Sequence, residues 1–275
     1  MEPEEYDFLY KLEETFWWFV GMRQITDSIV FRNFQPRANR RILDAGCGTG
    51  FNLAHFAQTG SSTVFGLDLS AAALHGVRKR GFSTVCQASI DDIPFASDSF
   101  DLIVTFDVLC QVDDQAGQKS LAEICRVLRP GGLVFIRVPA FEWMRSSHDE
   151  AVHSKRRFTR PGLTAQLTQA GLKAEWISYA NCFLFPVVIL RRMLKRFGIG
   201  QGSEVRPLPG ALGWIDPVFR GILGTEAALF RRGTRLPFGL SVVCVARKSP
   251  TEKSLNRVDD PTGVAVGHGA MDRQA

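Results

Sequence analysis

The sequence contains no apolar run long enough to cross a membrane. A spanning helix needs about 18 consecutive apolar residues. The nearest run, Cys182 to Leu190, has about half that length, is broken by Pro186 and is followed by Arg191-Arg192. A membrane-spanning protein is therefore excluded, whereas contact with a membrane surface is not.

Cysteine pairs and a secretory leader are also missing. The first residues, Met1-Glu2-Pro3-Glu4-Glu5, are acidic and differ from the basic and then apolar start of a secretory signal. The six cysteines include no C-x-x-C pair and lie mostly within apolar strand or helix patterns. We therefore expect reduced core thiols and a cytoplasmic protein, with peripheral contact at the inner membrane face as a further expectation.

Composition and charge limit the class of protein. The chain has 275 residues, of which 45% are hydrophobic and 22% charged, enough to bury a core and to exclude a disordered chain. The formal net charge of +5 is small, and its excess lies in Arg/Lys patches after residue 150. A nucleic-acid partner is therefore permitted but not favoured.

A glycine-rich turn at residues 46–50 is the most informative feature present. In RILDAGCGTG, residues 41–50, an apolar strand passes into a turn that opens a helix. Glycine at 46, 48 and 50 lets a ligand lie against the backbone and permits positive φ. A dinucleotide site would need glycine at 51, where Phe51 stands, and a P-loop would need Gly-Lys-Ser/Thr. The turn thus favours a nucleoside ligand without phosphates.

A carboxylate ends the second predicted strand, Val64 to Asp68. At the carboxyl edge of an open α/β sheet, such a residue can accept hydrogen bonds from both ribose hydroxyls. The alternative is a helix N-cap role for Asp68, but Ser70 is better placed to cap the helix that follows. We therefore predict that Asp68 binds ribose.

Four ordered motifs between residues 40 and 140 resemble those of the class I S-adenosylmethionine-dependent methyltransferases. They are DAGCGTG, GLDLS, DDIPFASDSFDLIVTFDVL and EICRVLRPGGLVFIRVP. The resemblance, to small-molecule methyltransferase domains of the type-11 kind, implies S-adenosyl-L-methionine as cofactor. It implies that the cofactor is bound by the loop and by the residues after the second strand: Gly46, Cys47, Gly48, Gly50, Asp68 and Leu69.

The same resemblance suggests roles for other polar and aromatic residues. Asp44 matches the acidic residue that holds the cofactor's amino group; the alternative is a turn carboxylate satisfied by backbone N–H groups. Ile90 and Asp91 match the position that reads adenine, with Asp92 solvated. Phe106, which ends the fourth strand, would lie beside the methyl donor or form ordinary core.

An aromatic pair precedes an arginine near the N-terminus, in FWWFVGMR at residues 16–23. In some small-molecule members a similar segment folds over the cofactor. Trp18 would then cover the cofactor, and Arg23 would pair with its methionyl carboxylate. The alternative is that the aromatic residues only anchor the segment to the sheet and that Arg23 faces solvent.

The catalytic base is less evident. Many relatives have an acid–histidine pair after the fourth strand, where this chain has Leu109-Cys110-Gln111-Val112, and Cys110 is expected to be structural. The loop after the fifth strand contains His148, Asp149 and His153. Histidine titrates near neutrality and suits proton removal, so His153 is the predicted base. The alternative is an exposed, inert side chain. No metal site is predicted.

The element order predicts an α/β fold with a doubly wound, mostly parallel, Rossmann-like sheet. The family resemblance implies that two further strands complete a seven-stranded sheet and that the last one is antiparallel. We expect an N-terminal helical cap (1–38), a core (39–182 plus 240–248), a helical insert (183–239) and a disordered tail (249–275). The cap is expected to be helical over 4–34. Two amphipathic segments, 185–197 and 215–232, would make the insert a lid, a dimer interface or a membrane-surface element.

These observations predict an enzyme that methylates a small-molecule or lipid-linked acceptor, at oxygen. One alternative is a protein or nucleic-acid methyltransferase, which the basic segment Lys155 to Arg160 permits. The absence of an N-P-P-Y-like sequence after the fourth strand disfavours amino-adenine or cytosine chemistry. Another alternative is a catalytically silent S-adenosylmethionine-binding protein. Peripheral membrane contact through 183–239 and a homodimer are further expectations.

Overall fold

Seven strands form a single sheet at the centre of the protein. The computed structural model describes residues 10–59, 62–146, 149–150, 152–196 and 215–249. The strands are Arg40–Ala45 (β1), Ser62–Asp68 (β2), Val85–Gln87 (β3), Phe100–Phe106 (β4), Leu128–Pro139 (β5), Leu172–Ala180 (β6) and Ser241–Lys248 (β7). Their order is β3-β2-β1-β4-β5-β7-β6. Strands β1 to β5 pair in parallel and β7 is antiparallel to β5 and β6, which confirms the predicted fold class.

Helices cover both faces of this sheet. They are Trp17–Asn33 (α1), Phe51–Gln58 (α2), Ala71–Lys79 (α3), Asp114–Val127 (α4), Arg160–Gln169 (α5), Phe185–Arg196 (α6) and Ile215–Arg231 (α7). Alternate strand residues enter two separate cores, because successive side chains of a strand point to opposite faces. Ile42 and Phe135 pack with α1, α2, α3 and α7, whereas Leu43 and Val134 pack with α4 and α5.

The carboxyl ends of β1 and β4 mark the point where the strand order reverses. In open α/β sheets this is where ligands bind. Asp107, Phe141 and Asn181 follow the ends of β4, β5 and β6, and each has a positive φ of 57–60°. Non-glycine residues rarely adopt this conformation, and such residues cluster at functional sites. The described chain therefore carries backbone strain along one edge of its sheet.

Two predicted elements were wrong in detail. The N-terminal segment is not one helix over 4–34: a helical turn at 10–12 is followed by turns at 13–15, and α1 begins after Phe16, whose backbone is extended. Residues 1–9 lie outside the described residues. The sequence Pro130-Gly131-Gly132 predicts a turn before the fifth strand, but these residues lie within β5, whose pairing with β4 is irregular there and which contains Gly131 at a positive φ.

The predicted insert contributes one buried helix and one exposed helix. Leu223 and Phe230 of α7 are buried in the core, and α7 approaches α1 so closely that a Cβ at Gly21 would lie 2.3 Å from Leu223 Cδ1. In contrast, α6 exposes Val187, Leu190 and Met193. Residues 197–214 and 250–275 lie outside the described residues, so the division into cap, core, insert and tail stays a prediction.

Candidate cofactor site

The loop between β1 and α2 presents bare backbone at the carboxyl edge of the sheet. Gly46, Gly48 and Gly50 all have positive φ, at 85°, 53° and 83°. A Cβ on Gly46 would lie 2.1 Å from Val108 Cγ2, whereas a Cβ on Gly48 would meet nothing within 4 Å. Cys47 directs its side chain into the core, so only its backbone is available. The glycines thus shape the turn and leave open space over Gly48.

Asp68 connects this loop to the end of β2. Its carboxylate accepts hydrogen bonds from Gly48 N and Ser70 N, both at 2.9 Å. Burial raises its pKa, while these two hydrogen bonds act in the opposite direction. Ser70 Oγ accepts from Ala73 N and caps α3, which confirms the predicted cap. Leu69 is 69% exposed beside this carboxylate, so an apolar and an acidic surface adjoin there.

Asp44 is a buried carboxylate without a partner. Its side chain is fully buried, and neither oxygen has a hydrogen-bond donor among the described residues. Burial raises its pKa to about 8; the charges of Asp68 and Glu13 act in the same direction, and Arg137 opposes them. The alternative of a turn carboxylate satisfied by backbone N–H groups is therefore wrong. Because an unpaired buried carboxylate is costly, the position suits a cationic group of a ligand.

Residues 10–14 form a strap over the glycine loop. Glu13 accepts a short hydrogen bond from Thr49 Oγ1 and lies 3.2 Å from an Arg80 nitrogen. Arg80 also donates to Thr49 O and Glu14, and its guanidinium lies 4.2 Å from the Tyr10 ring. Sequence reasoning missed this arrangement, since no local motif links an arginine after α3 to acids near the N-terminus.

Trp18 covers a cation that sequence reasoning also missed. The Arg137 guanidinium lies 5.1 Å from the Trp18 ring and 5.0 Å from the Phe106 ring. Its Nε and Nη2 both donate to Asp107 Oδ2, at 2.9 and 2.6 Å. The available signal was a charged residue near the end of an otherwise apolar strand.

Other predicted cofactor residues take up varied positions around the site. Half-buried Arg23 lies over the Phe51 ring, at 4.8 Å, next to the glycine loop. Ile90 is buried, and Asp91 accepts a short hydrogen bond from Ser89 and lies 3.8 Å from Lys119. Phe106 is half-buried against Phe135. Asp92 is exposed. Their contacts with a cofactor stay predictions.

His153 is exposed and has a positive φ of 54°. Its ring makes no hydrogen bond to a described residue, and His148 lies outside the described residues, so the role of His153 as a base stays a prediction. The surrounding loop is held by the buried pair Asp149–Arg157, with two 2.9 Å hydrogen bonds. Arg156 pairs with Asp114. Two cations of the basic segment are therefore engaged internally.

Cysteine chemistry and metal ligation find no support among the residues that the structure describes. All six cysteines are free, and four are buried. Cys110 donates to Asp107 O, and burial raises its pKa to about 12, which fits a structural thiol. No group of three or more metal-type side chains occurs within the described ranges.

The residues at this edge fit S-adenosylmethionine. An orphaned carboxylate at 44 suits its ammonium group, Asp68 suits its ribose, and the open space over Gly48 leaves room for it. Arg23, which has no carboxylate partner among the described residues, suits its carboxylate.

Comparison with known proteins gives an independent result. A family model described as a methyltransferase domain matches residues 43–136. A trans-aconitate 2-methyltransferase of Deinococcus radiodurans is 37% identical over 210 residues, which span 70% of this chain and 76% of that protein. A probable S-adenosylmethionine-dependent methyltransferase of Mycobacterium tuberculosis is 31% identical over 187 residues, and the match spans 66% of each chain, just under two thirds.

The fold is also similar to solved structures. A putative methyltransferase from Haloferax volcanii, in complex with the Trm112 methyltransferase activator, superposes with a TM-score of 0.57 at 20% identity. The superposition covers 88% of this chain and 94% of that one. At this identity the likeness concerns the fold alone.

Proposed function

Because the chain belongs to the class I S-adenosylmethionine-dependent methyltransferases, we propose that it transfers a methyl group to an oxygen atom of a small-molecule or lipid-linked acceptor. The observation that carries the proposal is the orphaned Asp44 beside a glycine loop held by Asp68. The cofactor, when bound, supplies a methyl group on a sulfonium. The protein then has to bind, align and shield the reactants.

Calorimetry with S-adenosylmethionine and S-adenosylhomocysteine tests cofactor binding, and a labelled-methyl screen of acceptors tests transfer. We expect both compounds to bind and label to reach a small-molecule fraction. Absence of binding would refute the proposal. Binding of both compounds without transfer to any acceptor would favour a silent binding protein, the alternative from a different functional class.

A protein or nucleic-acid acceptor is less well supported than a small molecule. The basic segment after β5 would have to present free cations, but Arg156 and Arg157 are engaged with Asp114 and Asp149. Of residues 155–157 only Lys155 is exposed, so this part of the segment presents little positive surface. Label appearing in macromolecules rather than in small molecules would reverse this choice.

His153 is our proposed base for an acceptor that must lose a proton. Replacing it with alanine (His153→Ala) is expected to abolish turnover of such an acceptor while leaving the Kd for S-adenosylmethionine intact, because its ring makes no hydrogen bond to the glycine loop or to Asp68 among the described residues. Initial rates and calorimetry on the same preparation measure both quantities. Unchanged turnover would remove His153 from the site.

Helix α6 is our proposed contact with a membrane surface that holds a lipid-linked acceptor. Within the described ranges no helix is long and apolar enough to span a bilayer. However, α6 exposes Val187, Leu190 and Met193 on one side, and it also carries Arg191 and Arg192, of which Arg192 donates to Met144 O and Ser146 Oγ. Exposed apolar side chains near cations are typical of helices that lie on anionic lipid.

Flotation with vesicles measures this contact. We expect binding to vesicles that contain anionic lipid and loss of binding when Val187, Leu190 and Met193 are changed to serine together. Val218→Ser is the matched control, since Val218 is 49% exposed on α7. Failure to bind any vesicle would end the membrane proposal. Dissociation of a dimer by the triple variant would instead indicate a homodimer interface.

A further inference from the structure

Arg137 is a nearly buried cation with unused hydrogen-bond donors. Its side chain is 11% exposed and is held between the rings of Trp18 and Phe106. Within the described ranges only Nε and Nη2 donate, and both donate to one oxygen of Asp107. A guanidinium has five N–H groups in a planar fork. Nη1 has no hydrogen-bond partner among the described residues, so part of the fork is available to a ligand.

The guanidinium of Arg137 lies beside the end of β4, where an acceptor is expected to meet the methyl donor. Arg137 precedes the end of β5, and its backbone oxygen accepts a 2.8 Å hydrogen bond from Asp107 N, at the residue that follows β4. The end of β4 is where the resemblance to the family places the methyl donor. The Trp18 and Phe106 rings, 5.1 and 5.0 Å from the guanidinium carbon, restrict its motion, which limits the entropy lost when it binds an anion.

Among the described residues, no histidine is paired with Arg137, and Asp44, whose charge Arg137 influences, is assigned to the cofactor's ammonium. Of the three described histidines, His55 is hydrogen-bonded to Asp27, and His75 and His153 are exposed. Asp107 already accepts two hydrogen bonds from Arg137, and protonating it would leave that cation without compensation. These residues suit an acceptor atom that has no proton to lose.

We propose that the acceptor is a carboxylate, which Arg137 binds and orients, and that the product is its methyl ester. A lone pair of the carboxylate oxygen forms the new O–C bond while the bond from methyl carbon to sulfur breaks, and its electron pair returns to sulfur to give a neutral thioether. No proton moves. This inference rests on the proposed function and specifies its acceptor; His153 would be required only for a hydroxyl or amine.

The chemical test uses labelled S-adenosylmethionine with a panel in which each carboxylic acid is matched by its amide and its primary alcohol. We expect label only with acids, and release of that label as volatile methanol in mild alkali, because esters hydrolyse there and ethers and N-methyl groups do not. Alkali-stable label on alcohols would overturn this inference and leave the proposed function standing, whereas label on amides, which forms at nitrogen, would also contradict transfer to oxygen. No label on any compound, with no cofactor binding, would instead refute the proposed function.

Variants of Arg137 and Arg23 separate the acceptor from the cofactor. Arg137→Ala is expected to raise the KM for the acid about 10- to 100-fold, because a charge-assisted pair is lost. The Kd for S-adenosylmethionine should change far less, since Arg137 reaches the cofactor only through its effect on the charge of Asp44. Arg23→Ala is the matched control: it is expected to raise the Kd for S-adenosylmethionine and to leave the KM for the acid unchanged. If Arg137→Ala raises the Kd for S-adenosylmethionine as much as the KM for the acid, Arg137 binds the cofactor and the proposal is overturned.

Asp107 gives a test in the opposite direction. Asp107→Asn removes a negative charge that competes for Arg137, so the KM for the acid is expected to fall, whereas a general-base role for Asp107 predicts loss of kcat.

If Arg137→Ala fails to fold, the pair Arg137→Gln with Asp107→Asn removes both charges together. That pair is expected to retain cofactor binding and to lose the acid. Retained turnover of the acid at its original KM would overturn the proposal.

Discussion

Gly46→Ala and Gly48→Ala are expected to fail in different ways. At position 46 the new Cβ would lie 2.1 Å from Val108 Cγ2 at a φ of 85°, so overpacking adds to backbone strain. We expect Gly46→Ala to lose about 2–4 kcal/mol of unfolding free energy. At position 48 the Cβ meets no protein atom, so the fold should lose only about 1–2 kcal/mol through φ.

Among correctly folded proteins, cofactor binding should be affected in the opposite order: Gly48→Ala should weaken it more than Gly46→Ala. The Cβ of Gly48→Ala projects into the open space assigned to S-adenosylmethionine, so its Kd is expected to rise about 100-fold or more, as for a steric clash of roughly 3 kcal/mol. Thermal unfolding and calorimetry measure the two effects. Gly81→Ala is the matched control, because Gly81 has a φ of 84°, nothing within 4 Å of its Cβ, and a place after α3.

Normal cofactor affinity in Gly48→Ala would mean that the ligand does not lie over this loop. A Kd for Gly81→Ala that rises as much as that of Gly48→Ala would show that backbone strain alone explains the loss. Either result would contradict the assignment of the loop.

Asp44→Asn is expected to stabilise the cofactor-free protein and weaken its binding of S-adenosylmethionine about 100-fold or more. The side chain has no donor to satisfy it, so the neutral isostere removes the cost of burying the charge or of taking up a proton, and it costs no described hydrogen bond. In the complex the same carboxylate would face an ammonium, and that attraction is lost. Asp68→Asn is the control: its carboxylate accepts two backbone hydrogen bonds, so we expect it to lower both stability and affinity.

The pH dependence follows from the raised pKa of Asp44, about 8 when folded against an ordinary value of 3.8. Between these values the folded state holds a proton that the unfolded state has lost, so the contribution of Asp44 to stability falls as pH rises towards 8. The Tm advantage of Asp44→Asn should therefore be smallest near pH 4, larger at pH 6 and largest at pH 9. A variant less stable than the parent at every pH would indicate a hidden partner for Asp44.

Ligand binding should release the proton from Asp44. If the carboxylate is ionised in the complex, the affinity for S-adenosylmethionine should rise with pH up to about 8, by at most tenfold per pH unit for one group. Calorimetry in buffers of different ionisation enthalpy counts the protons released. Asp44→Asn should abolish this dependence, and an unchanged dependence would assign it to another group.

Local patterns predicted the sheet because each strand and cap depends on near neighbours. The apolar runs before Asp44 and Asp68, the glycine spacing and the Ser70 cap all lie within a few residues of the structure they specify. The antiparallel β7 followed from the family resemblance and was confirmed.

The remaining features depend on contacts that no local pattern contains. Glu13 meets Arg80 across 67 positions, and Arg137 meets Asp107 across 30. Amphipathic spacing likewise predicted α7 without showing that α1 would cover its apolar face, because periodicity identifies a face and not its partner. The proline–glycine sequence at 130–132 signals a turn, but pairing with β4 kept it in the strand.

The close approach of Leu223 to Gly21 couples the position of α7 to that of α1 and so to ligand binding. Helix α1 carries Trp18 and Arg23, two predicted cofactor contacts, and touches α7 at Gly21, within the same turns. A substitution that shifts α7 would tilt α1 and so alter the grip on the ligand from a distance. Changes made outside residues 43–136, the part that the family model matches, to accept a new substrate will therefore have to preserve the packing of α1 against α7. Otherwise they will also change the affinity for the cofactor.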